Sequence, residues 1–337
     1  MAHSVRKRKQ RERRKKTLEK RVKDIRTLAA KHFVQPQEIH LPFVALGDLR
    51  RRYCNRNPGY HAIPWRLKRA EYKGRFVRYP LDPIKPLVVK GSDDGLLLVR
   101  TRINDPAAIS DLTPAVEALP KPKNYKFKGI KRSDYRTMHY GTWAPYAKQC
   151  LVTKELRDAN QVGFGFMDDY TPVWTEMSRV LGQYAPGVFK QFQLYPLNMP
   201  TKRFCGAWTC CVVNDGGNNA NQTEAHRDVK EAQYGYSCIL AAGDFTGGAL
   251  VLYELEMVVE MAPGDLVLFP DCLITHRNES AEGKRISIVT FTQENVYDYW
   301  HREYNMKLRR HDRMKSRMKR KKAQKKAVRS WFSTIFS

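Results

Sequence analysis

Between residues 203 and 293 the chain is a succession of short apolar segments, each ended by turn residues, and this pattern limits the fold most tightly. β-Branched, aromatic and aliphatic residues fill Phe204–Asn214, Tyr234–Ala241, Ala249–Leu255, Met257–Met261, Asp265–Pro270 and Arg285–Gln293. The intervening NDGGNNAN, GDFTGG, APGD and ESAEGK are rich in Gly, Asn and Asp, residues that accept the backbone angles of tight turns. Short β-branched, aromatic and apolar runs bounded in this way by turn residues read as strands. Six such strands of antiparallel type predict a jelly-roll or double-stranded β-helix, a barrel open at one end.

The preceding half reads differently. Pro80, Pro83 and Pro86 punctuate turns ahead of a short strand, Gly95–Thr101, and Asp111–Leu119 is a brief helix. Lys121–Arg132 is a basic loop, and Tyr146–Asn160 and Pro172–Leu181 are helices, the second extended by Ala185–Gln191. The expected class is therefore α+β, with four segments. Residues 1–34 form a basic helix, 35–202 a mixed supporting region, 203–300 the barrel, and 301–337 a second basic helical arm.

Charge sets the arms apart. The net charge is +27, of which residues 1–30 carry +10 and residues 302–329 carry +12, leaving +5 for everything else. A near-neutral body between two cationic arms attracts a polyanion through counterion release. Double-stranded DNA is the expected partner. In the first arm Leu18, Val22, Ile25 and Leu28 recur at helical spacing, and Arg6–Lys16 resembles a nuclear-import signal; the nucleus is the expected location, and a solvated charged helix is the plain alternative. No apolar run reaches the length of a membrane span, and no apolar stretch follows the basic N-terminus as a secretory signal requires. The seven cysteines include no CxxC pair, so they read as reduced thiols filling a core.

The chemistry gathers in TEAHRDVK. His226 and Asp228 are two apart, and in extended backbone such residues project to one side, where both can reach one metal ion. With nine histidines, a His-x-Asp/Glu pair arises about once by chance, and His301–Glu303, which no barrel follows, is such an accident. Position distinguishes the first pair. His276 follows Asp228 by 48 residues, beyond the GDLVLFP strand. Two histidines and one carboxylate from the two ends of a small barrel form the facial triad of non-haem iron and leave three positions open. Arg285 opens the apolar strand Ile286–Phe291, with Ser287 two residues on. A cation there needs an anion, and its planar fork suits a carboxylate. Taken singly, these residues also read as a surface histidine, a turn aspartate and an arginine paired with Glu282.

The ordered set HRD, distal His and R-I-S, with FTGGALVLY and APGDLVLFP, closely resembles the 2-oxoglutarate/iron(II) dioxygenase superfamily. Within it, the chain looks most like the TET/JBP-like nucleic-acid dioxygenases of the compact fungal, transposon-associated type. The resemblance spans about residues 203–295. It implies that His226, Asp228 and His276 bind Fe(II), that Arg285 and Ser287 hold 2-oxoglutarate, and that O2 is the oxidant. The implied reaction is oxidation of a methyl group on a nucleobase, 5-methylcytosine in DNA first. The cysteine-rich region and long insert of large animal members are missing here, so substrate-recognising residues do not carry over. NDGGNNANQ is a candidate rim loop for a flipped base, or a simple connector.

Other readings keep part of this set. The same iron site could act on thymine, an N-methyl base, RNA or a protein side chain. A catalytically silent DNA-binding platform would have no use for the triad. A cupin-type barrel holding zinc or manganese would leave Arg285 and Ser287 without a role.

Overall fold

The computed structural model describes residues 33–53, 76–120, 136–144, 150–194, 204–216 and 223–299, most of 19–31, and single positions at 16, 302, 314 and 318. Lys121–Arg132, the NNANQ part of the rim loop, the import-like run and nearly all of the C-terminal arm lie outside these residues.

In chain order the described elements begin with α1 (residues 22–31), β1 (Gln37–Leu41), α2 (Leu46–Tyr53), β2 (Val77–Tyr79), β3 (Leu87–Gly91) and β4 (Leu96–Arg102). There follow a 3₁₀ turn (Pro106–Ile109), α3 (Leu112–Ala118), β5 (Arg136–Trp143), β6 (Leu151–Val152), α4 (Lys154–Asp169), α5 (Thr171–Tyr184) and α6 (Pro186–Leu194). The barrel strands are β7 (Cys210–Asp215), β8 (Ser237–Gly247), β9 (Leu250–Leu252), β10 (Met257–Val259), β11 (Asp265–Phe269), β12 (His276–Asn278) and β13 (Ala281–Phe291).

Two sheets face each other. The larger runs β1-β3-β4-β11-β8-β13-β7-β5-β6, and the smaller β12-β9-β10-β2. Within β8 the alternation explains the layering. Cys238, Leu240 and Ala242 point to the outer face, where Trp174, Met177, Val180 and Leu181 of α5 cover them. Ile239, Ala241 and Phe245 point inward and meet Leu250, Leu252, Met257 and Val259 of the smaller sheet. Both faces are covered, so the central strands are apolar on both sides. On the helical side Val22 and Ile25 of α1 pack against the same outer core, so the stripe expected in the first arm does meet the body.

Several boundaries differ from the sequence expectation. GDFTGG is mostly strand: β8 runs on to Gly247, hydrogen-bonded to β13 throughout, and β13 correspondingly begins at Ala281 inside the expected ESAEGK turn. Gly243, at φ +98°, makes this possible by tolerating an irregular position at which a Cβ would lie 2.1 Å from the Lys284 carbonyl oxygen. Phe204–Asn214 shortens to β7, because Gly206 at φ +61° turns the chain ahead of it. Tyr146–Asn160 becomes a helix that starts at Lys154, breaks at Asn160 (φ +48°, ψ −132°), the expected end, and then resumes to Asp169. Ala185–Gln191 does not extend α5. Ala185 leaves the helical region at φ −131°, ψ 60°, as a residue before proline tends to do, and α6 starts afresh at Pro186. Finally, the larger sheet takes β1, β3, β4 and β5 from the segment before residue 203, so that position marks a change of sequence texture and not an edge of the sheet.

Six cysteines, Cys150, Cys205, Cys210, Cys211, Cys238 and Cys272, are free and buried. Burial pushes the Cys150 thiol up to about 12, and the group packs as apolar matter.

Candidate metal centre and co-substrate pocket

The segment carrying His226 runs alongside β12, and the two histidines face each other across a backbone bridge. The His226 N–H donates to the His276 carbonyl at 2.9 Å and the His276 N–H returns the bond at 2.8 Å. Their ring centroids are 4.5 Å apart. Asp228 reaches both: its Oδ2 lies 3.8 Å from His226 Nε2 and 3.7 Å from His276 Nε2. The three ligand atoms lie within 4.8 Å of one another, a spacing that can hold a metal ion.

The donor chemistry fits a metal of the iron type. His226 Nδ1 lies 2.7 Å from the Glu224 carbonyl oxygen, and His276 Nδ1 lies 2.9 Å from that of Ile274. A carbonyl can only accept, so each proton sits on Nδ1 and each Nε2 keeps the lone pair that a metal needs. Phe269 stands edge-on to His276 at 5.0 Å and shields it from water. The Asp228 side chain remains 30% exposed, so the triad opens to a mouth.

Arg285 and Ser287 both turn inward from β13 and are buried. The Arg285 guanidinium lies over the Phe245 ring, 5.5 Å from its centroid. Gly248, at φ +66°, makes space for it: a Cβ there would lie 3.0 Å from Arg285 Nε. Ser287 Oγ accepts from Asn214 Nδ2 at 3.2 Å, and Asn214 Oδ1 accepts from Thr137 Oγ1 at 3.2 Å. Arg285 and Ser287 thus offer a fork and a hydroxyl from one strand, suited to a carboxylate. Thr137 escaped the sequence reading, and Asn214, expected at a strand end and in the rim loop, lies within β7, since each acquires its place only through strand pairing.

Behind Asp228 lies a second acidic pair with no sequence signature. Glu231 and Asp271 are buried, Ser237 Oγ donates to Glu231 Oε2 at 2.5 Å, and the Asp228 N–H donates to the Asp271 carbonyl at 3.2 Å. Burial, reinforced by the charges of Asp271 and Asp228, pushes the Glu231 carboxyl well up. Burial and the charge of Asp228 do the same to Asp271. Like charges buried so close together disfavour ionising both carboxyls at once.

No family model matches the chain, and no curated protein does. Solved structures do. NgTET1 in complex with 5mC DNA aligns with a TM-score of 0.51 at 15% identity, over 67% of this chain and 81% of that one. This likeness shows the fold, a double-stranded β-helix core. A 2OG-Fe(II) oxygenase-family oxidoreductase from Burkholderia pseudomallei covers 77% of this chain and 95% of its own, at 10% identity and a TM-score of 0.40. OsALKBH1 covers 64% and 100%, at 12% identity and a TM-score of 0.34. In this fold the larger sheet contributes Arg285 and Ser287, and the smaller sheet, with the segment beside it, contributes the two histidines and Asp228.

Proposed function

We propose that this chain is an iron(II)- and 2-oxoglutarate-dependent dioxygenase that oxidises a methyl group on a nucleobase, with 5-methylcytosine in DNA as its substrate. The observation that carries the reading is the convergence of His226 Nε2, Asp228 and His276 Nε2, with buried Arg285 and Ser287 on the facing sheet. Iron(II) held there supplies the oxidising power by which a methyl group, dioxygen and 2-oxoglutarate become a hydroxymethyl group, succinate and carbon dioxide. His226 and His276 offer neutral imidazoles to the metal, each fixed in one tautomer by a backbone carbonyl. Arg285 and Ser287 hold the far carboxylate of 2-oxoglutarate, and Asn214 orients the serine hydroxyl.

A base inside a duplex cannot reach such a mouth, so the target nucleotide must leave the stack. The +10 and +12 arms supply phosphate affinity without reading sequence. That NgTET1 was solved with 5mC DNA supports the choice of base, and the arms and the import-like run support the nucleus as the place of action.

The test supplies the full chain, purified without oxygen, with iron(II), 2-oxoglutarate, air and a methylcytosine-containing duplex. Nucleosides and succinate are then measured by mass spectrometry. Oxidised cytosines from the intact protein and none from Asp228→Ala are expected. Succinate without any oxidised base would overturn the nucleobase part of the reading. No succinate at all would overturn the dioxygenase itself.

A further inference from the structure

Strands β7 and β5 extend the larger sheet past β13, and the register carries the co-substrate row across them. Ser287 lies opposite Asn214, and Asn214 opposite Thr137. The side-chain hydrogen bonds joining these three show that they share one face. His139, two residues beyond Thr137, stands on that same face in the row of Val212 and Val289. Trp143 is beside it, the rings 5.1 Å apart and inclined at 62°. This wall adjoins the metal segment: Glu231 bridges to Gln293, whose Oε1 accepts from the Ala144 N–H, next to Trp143, at 2.9 Å.

The polarity of His139 is set from behind. Glu155, in the first turn of α4, brings Oε1 to 3.4 Å from His139 Nδ1, the two side chains being only 15% and 19% exposed. Nδ1 itself is closed off from solvent, and its contact with Glu155 is at ion-pair distance without a formed hydrogen bond. Burial works to raise the Glu155 carboxyl, but the neighbouring imidazole, a backbone N–H and Lys154 outweigh it and hold the group below its ordinary value. A carboxylate offers only lone pairs, so the proton of a neutral His139 belongs on Nδ1. Nε2 is then an acceptor on the sheet face that carries Ser287, with an indole at its side.

An acceptor and an aromatic face together fit a pyrimidine bearing an exocyclic amino group. The ring stacks or packs against Trp143, and the amino N–H donates to Nε2. A keto pyrimidine would instead oppose a carbonyl oxygen to the imidazole lone pair, leaving both without a proton, and a polar site built for one pattern rejects the other strongly. We propose that His139, oriented by Glu155 and flanked by Trp143, is the residue by which this site selects an amino-bearing pyrimidine over its keto counterpart. The proposal rests on the nucleobase reading above.

Every DNA duplex contains both candidates, since thymine carries its own 5-methyl group. The experiment therefore measures oxidised methylcytosine and oxidised thymine in one reaction, with the full chain, iron(II) and 2-oxoglutarate. The wild type is expected to favour methylcytosine, and His139→Ala to lose about tenfold or more of that ratio, with 2-oxoglutarate binding unchanged by calorimetry. His139→Phe keeps the ring volume and reads the same ratio should the alanine variant not fold. His139→Gln, whose amide oxygen can accept, is expected to recover part of it. An unchanged ratio in folded His139→Ala or His139→Phe would overturn the inference and leave the dioxygenase intact. A wild type that forms succinate but oxidises neither base would remove the nucleobase reading and this inference with it.

Discussion

Arg285 is the residue whose environment says most about its task. Its guanidinium is buried against an aromatic ring, and its planar fork suits a carboxylate. Charge-assisted hydrogen bonds contribute about 1.5–3 kcal/mol each, and every 1.4 kcal/mol is about tenfold. Arg285→Ala is thus expected to raise the 2-oxoglutarate concentration needed for half-maximal succinate formation by about a hundredfold. Gly248→Ala tests the space around the guanidinium. It places a side chain at φ +66° and 3.0 Å from Arg285 Nε, so both the melting temperature and 2-oxoglutarate affinity should fall. Gly187→Ala, where a Cβ meets nothing within 4 Å, should leave both as they are. At this scale the sequence was informative where ligand spacing is ordered, as for His226, Asp228 and His276, which the structure brings together. It was silent on Glu231, Asp271 and His139, whose neighbours come from other segments.

Among the elements, α2 shows how a remote loop can end a helix. Asp93 accepts from the N–H groups of Leu46 at 3.0 Å and Gly47 at 2.8 Å, satisfying two donors that the first turn leaves open. Burial works to raise its carboxyl, and these bonds, with that from Gly95, hold it below its ordinary value. A depressed carboxyl stabilises the fold above the unfolded pKa and loses that contribution as pH falls through the folded one. Asp93→Ala is accordingly expected to cost about 1 kcal/mol near neutrality, with the difference from wild type vanishing in acid; chemical denaturation at several pH values measures it. Element boundaries were legible where alternation ends in a strong breaker, as at Phe269–Pro270 for β11. They were not legible where glycine permits a strand to continue through Gly243, or where β12 consists of His276, Arg277 and Asn278 and so has no apolar pattern.

For the whole molecule, class and topology followed from the repeated short segments, but the extent of the sheet did not. Strands towards the margins, such as β1 and β5, carry mixed, half-polar sequences and find their place only by pairing with distant partners. The charge of the arms gives a prediction of the same reach. Removing residues 1–30 and 302–337 should flatten the salt dependence of DNA binding, since each phosphate that is no longer neutralised lowers the log–log slope by about 0.9; binding titrations at several salt concentrations measure it. A slope equal to that of the full chain would assign phosphate binding to the body. The nine-stranded order also bears on what can be dissected from this protein. β4 covers the free side of β11 and β5 that of β7, so a fragment beginning at residue 203 would keep every residue of the metal centre and yet bare both margins of its main sheet. Such margins recruit one another, and the isolated barrel is expected to precipitate as stacked copies before it can bind anything.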